Sequence, residues 1–182
     1  RGSHEISGAD HAEVIALNDA GTLSIGADLY ITLEPCNHQG KTPPCTKSII
    51  SAGIVNVFIA MQDPNPLVNG SGAEYLKKNG INVTSGIMEE EAKKMNIGII
   101  NRMIKSKPYV RSKIAMSFDG KTSLSNGQSK WITCQASRAD VQKWRSKSCA
   151  ILTGIGTINS DNPRLSIRKI SSLKQPLRVI LD

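Results

Sequence analysis

The chain has 182 residues, of which 39% are hydrophobic, and a formal net charge of +8 at pH 7. This length allows one large domain or two small ones. No apolar run approaches the roughly 18 residues of a membrane-spanning helix, so the composition indicates a globular protein without a membrane partner. The sequence begins without Met and stops in a segment, Leu177–Asp182, that is typical of the middle of a strand, so we expect a piece of a longer polypeptide.

The charge is distributed unevenly along the chain. Residues 1–104 contain 8 Lys/Arg and 11 Asp/Glu, whereas residues 105–182 contain 15 Lys/Arg and 4 Asp/Glu. This asymmetry favours two units, the second of which meets phosphate groups. Nucleic acid is one candidate partner, a phosphorylated cofactor and substrate is another, and a solvated basic face without a specific ligand stays open.

The first half of the chain alternates between strand and helix patterns. Asp10 is a suitable N-cap for a helix over Ala12–Ala20, which Gly21 closes. The elements predicted next are a strand over 27–33, a helix over 45–52 that begins after Pro44, a strand over 54–61, a helix over 73–79 and a strand over 81–84. Strands that alternate with helices indicate a mostly parallel sheet covered by helices.

The second half continues the α/β pattern. A helix over Met88–Ile104 carries acidic residues at its start and basic residues at its end, as the helix dipole favours, and connects the two units. The elements predicted beyond it are a strand over 109–117, a polar loop over 119–129, a helix over 136–147, a strand over 150–153 and a loop from 154.

Three residues of the first half form a metal-binding pattern: His11, Cys36 and Cys45. One imidazole and two thiolates occupy three positions of a tetrahedral zinc site and leave the fourth for water, whose pKa the metal lowers to about 7. Glu13 can then carry a proton from that water to a departing amine. Zinc nucleobase deaminases combine His-x-Glu with a Pro-Cys element, and their Glu is an acid/base rather than a ligand. The pattern therefore predicts a hydrolytic deaminase.

Each of these residues also has an ordinary structural interpretation. A single His or Cys is more often a surface or core residue than a ligand, and Glu13 follows Asp10 by three residues, as in a capping box. The prediction depends on their joint placement at helix starts and a strand end, where open α/β sheets bind ligands. Residues i and i+2 of a regular helix point about 200° apart. His11 and Glu13 therefore converge only at an irregular first turn or on a metal over the helix end.

The remaining cysteines, Cys134 and Cys149, are interpreted as half-buried thiols. Four cysteines make no disulfide framework in a chain of this size. This usage favours a reducing, cytoplasmic location.

The metal-binding pattern lies within longer stretches that resemble one family. The stretches are 11–13 (HAE), 32–45 (TLEPCNHQGKTPPC) and 61–66 (MQDPNP), and they resemble the bacterial bifunctional riboflavin-biosynthesis deaminase/reductases. Most relatives in the wider cytidine-deaminase-like superfamily place two residues between the cysteines. Here there are eight, and the ending Gly40–Cys45 is typical of the riboflavin branch.

This resemblance implies a deaminase reaction on a phosphorylated pyrimidine. His11, Cys36 and Cys45 would bind Zn²⁺, Glu13 would be the proton shuttle, and ammonia would leave a diaminopyrimidinone that carries a phosphoribosylamino group. From loop position and charge we add the hypothesis that two further side chains contact the sugar phosphate, with solvated loop residues as the alternative; they are His38 and Lys41.

The second half resembles the reductase domain of the same family, which is similar in fold to dihydrofolate reductase and uses NADPH. The matching stretches are 113–121, 129–133, 140–145 and 157–165. The resemblance implies NADPH contacts at Ala115, Trp131, Thr157 and Asp161, and substrate contacts at Ser129, Arg145, Leu165 and Arg168. Guanidinium groups suit bidentate phosphate recognition. A core role for Trp131, a turn role for Asp161 and plain packing for Ala115 and Leu165 stay open.

The implied architecture is α/β with two domains. A cytidine-deaminase-like three-layer domain covers 1–106, and a dihydrofolate-reductase-like α/β domain covers 107–182. The family is longer at both ends, so we expect both domains to be incomplete in this chain. We also expect a homo-oligomer that acts on a small phosphorylated substrate and binds no nucleic acid.

Two other classes of function are compatible with the residues alone. A zinc-dependent, tRNA-type nucleic-acid deaminase would use the basic half to bind nucleic acid, but it predicts aromatic stacking platforms, and the chain has only two Trp, three Tyr and two Phe. A non-catalytic module with structural zinc would need a fourth protein ligand, and no candidate stands out unless His38 serves.

Overall fold

The computed structural model describes residues 1–66, 68–168, 170–172 and 174–182. They divide into two compact units, Arg1–Arg111 and Ser112–Asp182. The first unit contains, in order, α1 (Ala12–Ala20), a 3-10 turn (Gly21–Ser24), β1 (Asp28–Ile31), α2 (Cys45–Ser51), β2 (Asn56–Ile59), α3 (Ser71–Lys78), β3 (Asn82–Ser85), α4 (Glu89–Met95) and α5 (Ile97–Lys105).

The sheet of the first unit is parallel, as the alternating pattern predicts. Its three strands lie in the order β1-β2-β3, with Leu29 opposite Val57 and Val57 opposite Val83. Parallel neighbours require a crossover connection, and α2 and α3 supply it. The carboxyl ends of the strands therefore lie at one edge, to which the loops after β1 and β2 belong.

The core of this unit lies on one face of the sheet. Leu29, Val57 and Ile59 point to that face and pack with the helix residues Leu17, Ile49 and Leu76. The alternate residues of the strands point the other way: Tyr30 and Phe58 stack with ring centroids 4.6 Å apart, and Tyr30 is 68% exposed. Residues of α1, α2 and α3 cover this buried face of the sheet.

Two predictions for the first unit are wrong. The helix predicted over 88–104 is divided at Asn96, whose ψ of 14° leaves the helical range and whose side-chain amide donates to the Ala92 carbonyl. An Asn side chain competes with the helix ladder in this way. The N-cap of α1 is His11 rather than Asp10, and it makes no side-chain capping hydrogen bond.

The second unit contains α6 (Gln135–Ser146), β4 (Ala150–Gly154), α7 (Ile155–Asp161) and β5 (Leu177–Leu181), and β4 pairs with β5 in parallel. The strand character of the last segment is confirmed. The strand predicted over 109–117 is wrong, because its extended, alternating sequence finds no backbone ladder among the described residues. The loop predicted from Gly154 is also wrong, because α7 begins directly after it.

Across the described part of both units, every helix is too short or too polar to traverse a lipid bilayer.

Candidate metal and substrate site

The three predicted ligands come from three different elements at the carboxyl edge of the sheet. His11 is the N-cap of α1, Cys36 lies in the loop after β1, and Cys45 is the first residue of α2. Their ligand atoms all lie within 4.8 Å of one another. The fold thus brings together side chains that are separated by up to 34 positions in the chain.

The spacing of these atoms fits a small tetrahedral cation. His11 Nδ1 is 3.2 Å from Cys45 Sγ and 3.6 Å from Cys36 Sγ. Tetrahedral zinc, with bonds of about 2.0 Å to nitrogen and 2.3 Å to sulfur, separates such atoms by about 3.6 Å. One imidazole nitrogen and two sulfurs are also a donor set that zinc prefers.

The two thiols shift each other's pKa in opposite directions. The hydrogen bond from the Cys45 thiol lowers the pKa of Cys36 to about 5. The same hydrogen bond raises the pKa of Cys45, because ionising this second thiol would leave two adjacent thiolates. The Cys36 sulfur also accepts the backbone N–H of Cys45 at 3.4 Å. A divalent cation would compensate the repulsion between two thiolates, since metal binding requires both thiols to be deprotonated.

The convergence of His11 and Glu13 has a simple backbone cause. His11 has φ −71° and ψ 160°, so it lies outside the helix and the 200° separation of a regular helix does not apply. Glu13 is in the first turn of α1, close enough to His11 and Cys36 for their charges to affect its pKa. Burial is the main cause that raises the pKa of Glu13. Because His11 is the N-cap, Glu13 is not three residues beyond it, and the capping-box interpretation is wrong.

A cavity of about 210 Å³ opens beside the metal cluster. Its lining includes His11 and Cys36, together with His38 and Lys41. Lys41 Nζ donates to Ser7 Oγ at 3.3 Å, and both loop side chains are exposed. A larger cavity of about 520 Å³, among residues 1–15, has none of the three predicted ligands in its lining.

His4 also lines the 210 Å³ cavity, and it was not predicted as a site residue because it belongs to no spaced motif. Its ring meets the His11 ring edge to face, with centroids 5.2 Å apart, and its Nδ1 lies 3.0 Å from the Asp10 carbonyl oxygen. His4 therefore adds a further ring to the cavity lining, beside His11, His38 and Lys41.

In the second unit, two of the predicted substrate residues lie near each other. Arg145 is on α6, and its pKa is lowered by burial and then by the positive charge of Arg168. Arg145 Nη1 donates to the Ser166 carbonyl at 3.1 Å, while the Arg168 backbone N–H donates to Gln142 Oε1 at 2.9 Å. These bonds hold the segment against α6 and keep Arg168 close enough for its positive charge to affect the pKa of Arg145. A pair of arginines suits an anion.

The other predicted residues of the second unit occupy varied positions. Thr157 and Asp161 lie one turn apart on α7, and Asp161 is the last residue of this helix, directly before the left-handed Asn162. Trp131 is 72% exposed, with the Arg138 guanidinium 4.3 Å from its ring centroid, so it is not a core residue of this unit. Leu165 is buried, whereas Ser129 and Ala115 are partly exposed outside helices and strands.

Comparison with known families finds two matches that divide the chain. Residues 2–61 match the cytidine and deoxycytidylate deaminase zinc-binding region, and residues 108–182 match the RibD C-terminal domain. The first match contains all three predicted ligands and Glu13, and the second contains every predicted reductase contact.

Individual relatives match along the whole chain. The riboflavin biosynthesis proteins RibD of Bacillus amyloliquefaciens and Aquifex aeolicus are 50% and 46% identical over 181 residues. The chain is fully covered in both cases and spans about half of each relative, 49% and 51%.

Solved structures give the same result for the fold. Acinetobacter baumannii RibD has a TM-score of 0.90 at 47% identity, covering 97% of this chain and 51% of that one. A diaminohydroxyphosphoribosylaminopyrimidine deaminase/5-amino-6-(5-phosphoribosylamino)uracil reductase from Thermotoga maritima has a TM-score of 0.89 at 44% identity, covering 96% and 50%. The α/β fold class, with a deaminase-like and a reductase-like part, is confirmed.

Proposed function

We propose that the chain belongs to the RibD family of riboflavin-biosynthesis proteins and is part of a bifunctional enzyme with a zinc-dependent deaminase and an NADPH-dependent reductase. The deaminase would act on 2,5-diamino-6-(5-phosphoribosylamino)pyrimidin-4(3H)-one. The reductase would then convert the ribosyl side chain to ribityl. The observation that carries this proposal is the cluster of His11, Cys36 and Cys45 within 4.8 Å, with Glu13 next to it.

The residues of the first unit have distinct roles in the proposed deamination. The imidazole of His11 and the thiolates of Cys36 and Cys45 would hold zinc, which would supply an activated water at neutral pH. The Glu13 carboxylate would take up a proton during the attack and give it to the departing amine. Its burial supports this role, because a raised pKa brings a carboxyl group nearer to the operating pH of an acid/base catalyst.

The structural-zinc alternative is not favoured by the ligand set. Among the described residues, the cluster of possible ligand atoms has three members, and His38 is not one of them. Three protein ligands with an open position are typical of catalytic zinc, whereas structural sites are closed by four. The nucleic-acid alternative is also not favoured, because residues 108–182 match the RibD C-terminal domain.

The rim of the cavity is proposed to hold the sugar phosphate. We expect Lys41→Ala to raise KM for the phosphorylated pyrimidine by about tenfold with little change in kcat, because one charge-assisted hydrogen bond contributes roughly 1.5–3 kcal/mol. Steady-state ammonia release measures both constants. Lys47→Ala, an exposed lysine on α2 that does not line the cavity, is the control. An unchanged KM in Lys41→Ala would refute the assignment.

In the second unit we propose that Ser129, Arg145, Leu165 and Arg168 contact the substrate of the reductase. Ala115, Trp131, Thr157 and Asp161 are proposed to contact NADPH. The support for the substrate side is that Arg168 lies close enough to Arg145 for its positive charge to lower the pKa of Arg145.

We expect Arg168→Ala to weaken binding of the phosphorylated substrate more than binding of NADPH. The substrate KM should rise by about tenfold, because Arg145 is left to hold the phosphate alone. NADPH oxidation measures both constants, and Lys143→Ala on α6 is the control. A change confined to the KM for NADPH would contradict the assignment.

We propose domain limits of 1–106 and 107–182. We also expect a homo-oligomer in the cytoplasm. All four cysteines are free thiols, which suits a reducing compartment.

The decisive experiment incubates the protein with the phosphoribosylaminopyrimidine and zinc, follows ammonia, and then follows NADPH absorbance. Absence of ammonia release would overturn the deaminase assignment.

A further inference from the structure

Glu34 is a buried carboxylate that accepts four backbone hydrogen bonds. Glu34 is only 3% exposed. Oε2 accepts the N–H groups of Asp63 at 3.2 Å and Gly70 at 2.9 Å, and Oε1 accepts those of Gly72 at 3.0 Å and Ala73 at 3.1 Å. The metal pattern assigned Glu34 no role, although it precedes Cys36 by two residues.

The four donors come from two segments that do not contain the metal ligands. Asp63 belongs to the loop after β2, whereas Gly70, Gly72 and Ala73 lie at the start of α3. The Glu34 backbone N–H adds a bond to the Met61 carbonyl at 3.0 Å. This single residue therefore ties the loop after β1 to the loop after β2 and to α3.

Close packing of Gly72 against the backbone of Pro35 adds to this connection. A Cβ added at Gly72 would lie 2.1 Å from the Pro35 carbonyl oxygen and 3.3 Å from Glu34 Oε1. Pro35 is itself fully buried. The turn that leads into Cys36 is thus held between α3 and the Glu34 hydrogen bonds.

We propose that Glu34 is a positioning residue that keeps Cys36 Sγ within reach of His11 and Cys45. The inference rests on the proposed function, in which Cys36 is a zinc ligand. Without the second carboxylate oxygen, two buried N–H groups lose their acceptor, and the loop has to shift to satisfy them. Changes in the groups that orient a metal ligand typically weaken metal affinity 10–100-fold.

The test is Glu34→Gln, which keeps the shape of the side chain but turns an NH₂ group toward two N–H donors. We expect the dissociation constant for Zn²⁺, measured by competition with a chelator, to rise at least about tenfold. The visible spectrum of Co²⁺ bound in place of zinc should also change, because it reports the ligand geometry. Glu74→Gln, the same substitution at an exposed position of α3, should leave both readouts unchanged.

Gly72→Ala gives an independent variant that keeps the carboxylate. Alanine is the better helix former, yet its Cβ would collide with the Pro35 carbonyl and move the Cys36 turn. We expect the same weakening of Zn²⁺ binding and the same spectral change. If Glu34→Gln does not fold, Gly72→Ala decides by these two readouts.

A merely structural role for Glu34 would give a different result. The variant would then melt at a lower temperature with and without zinc, while the zinc-induced rise in melting temperature and the Co²⁺ spectrum stay as in the wild type. That outcome would overturn the inference and leave the proposed function intact. A wild-type protein that binds no zinc would overturn both.

Discussion

Replacing Glu13 by Gln is expected to reduce ammonia release by a factor of 10² to 10⁴ while zinc stays bound, because general acid–base catalysis contributes about that factor. The amide has nearly the shape of the carboxyl group but cannot accept a proton from water. Since Glu13 is proposed to be a proton carrier rather than a ligand, one zinc per chain should remain. Ammonia release and zinc content, measured on the same preparation, check both parts.

The burial of Glu13 gives this variant a second signature in the metal-free protein. Burial raises the pKa of Glu13 above its ordinary value of 4.5, so the folded state binds this proton more tightly than the unfolded state. Stability therefore falls as the pH rises from 4.5 through the raised pKa. Gln does not titrate, so the zinc-free Glu13→Gln protein should lose this dependence and be no less stable at neutral pH. Glu91→Gln, at an exposed position of α4, is the matched control. Full ammonia release by Glu13→Gln would disprove the assigned role.

Replacing Cys45 by Ala is expected to lower the affinity for zinc by more than about 100-fold and to abolish deamination. Changes to the partners that only orient a ligand cost 10–100-fold, and this substitution removes a ligand itself. Cys45 is fully buried at the start of α2, and its sulfur lies 3.2 Å from His11 Nδ1. With one imidazole and one thiolate remaining, the donor set no longer fills three tetrahedral positions.

The control for this prediction is Cys134→Ala, at a thiol of the second unit that is exposed; the prediction that Cys134 and Cys149 are half-buried is wrong. It should bind one zinc with wild-type affinity, and its deaminase activity should be unchanged. Titration with Zn²⁺ against a chromophoric chelator measures the affinities. A Cys45→Ala protein that binds zinc as tightly as the wild type would exclude Cys45 as a ligand and would contradict the proposed metal site.

The sheet of the first unit could be predicted because its local signals and its packing agree. Each strand is short and carries an apolar residue that belongs to the core or packs against it: Leu29, Val57 and Val83. Gly21 and Gly53 mark the ends of α1 and α2. The failures occur where local signals compete. At Asn96 the side chain competes with the backbone hydrogen bonds of the helix. At the start of α1 the N-cap is His11, one residue after Asp10, which is the better capping residue.

The second unit was harder to predict for a different reason. Residues 109–117 have a strand-like sequence, but a strand is completed only by a neighbour that accepts and donates its backbone hydrogen bonds. Residues 155–161 contain Gly, Thr, Asn and Ser, which favour turns, yet they form α7. Helix and strand propensities are weak enough for tertiary context to decide in such segments.

The sequence by itself determined the chemistry of this protein: an imidazole, two thiols and a carboxyl group in a recognisable order, because the identity of a ligand is a property of the side chain. The tertiary structure alone decided whether these groups meet. Because the backbone of His11 is extended, the 200° separation between residues i and i+2 of a regular helix does not apply to His11 and Glu13. The parallel sheet brings the loop of Cys36 beside the start of α2. Only the fold could show Glu34 as the acceptor of four N–H groups, since those donors lie 29–39 positions away in the chain.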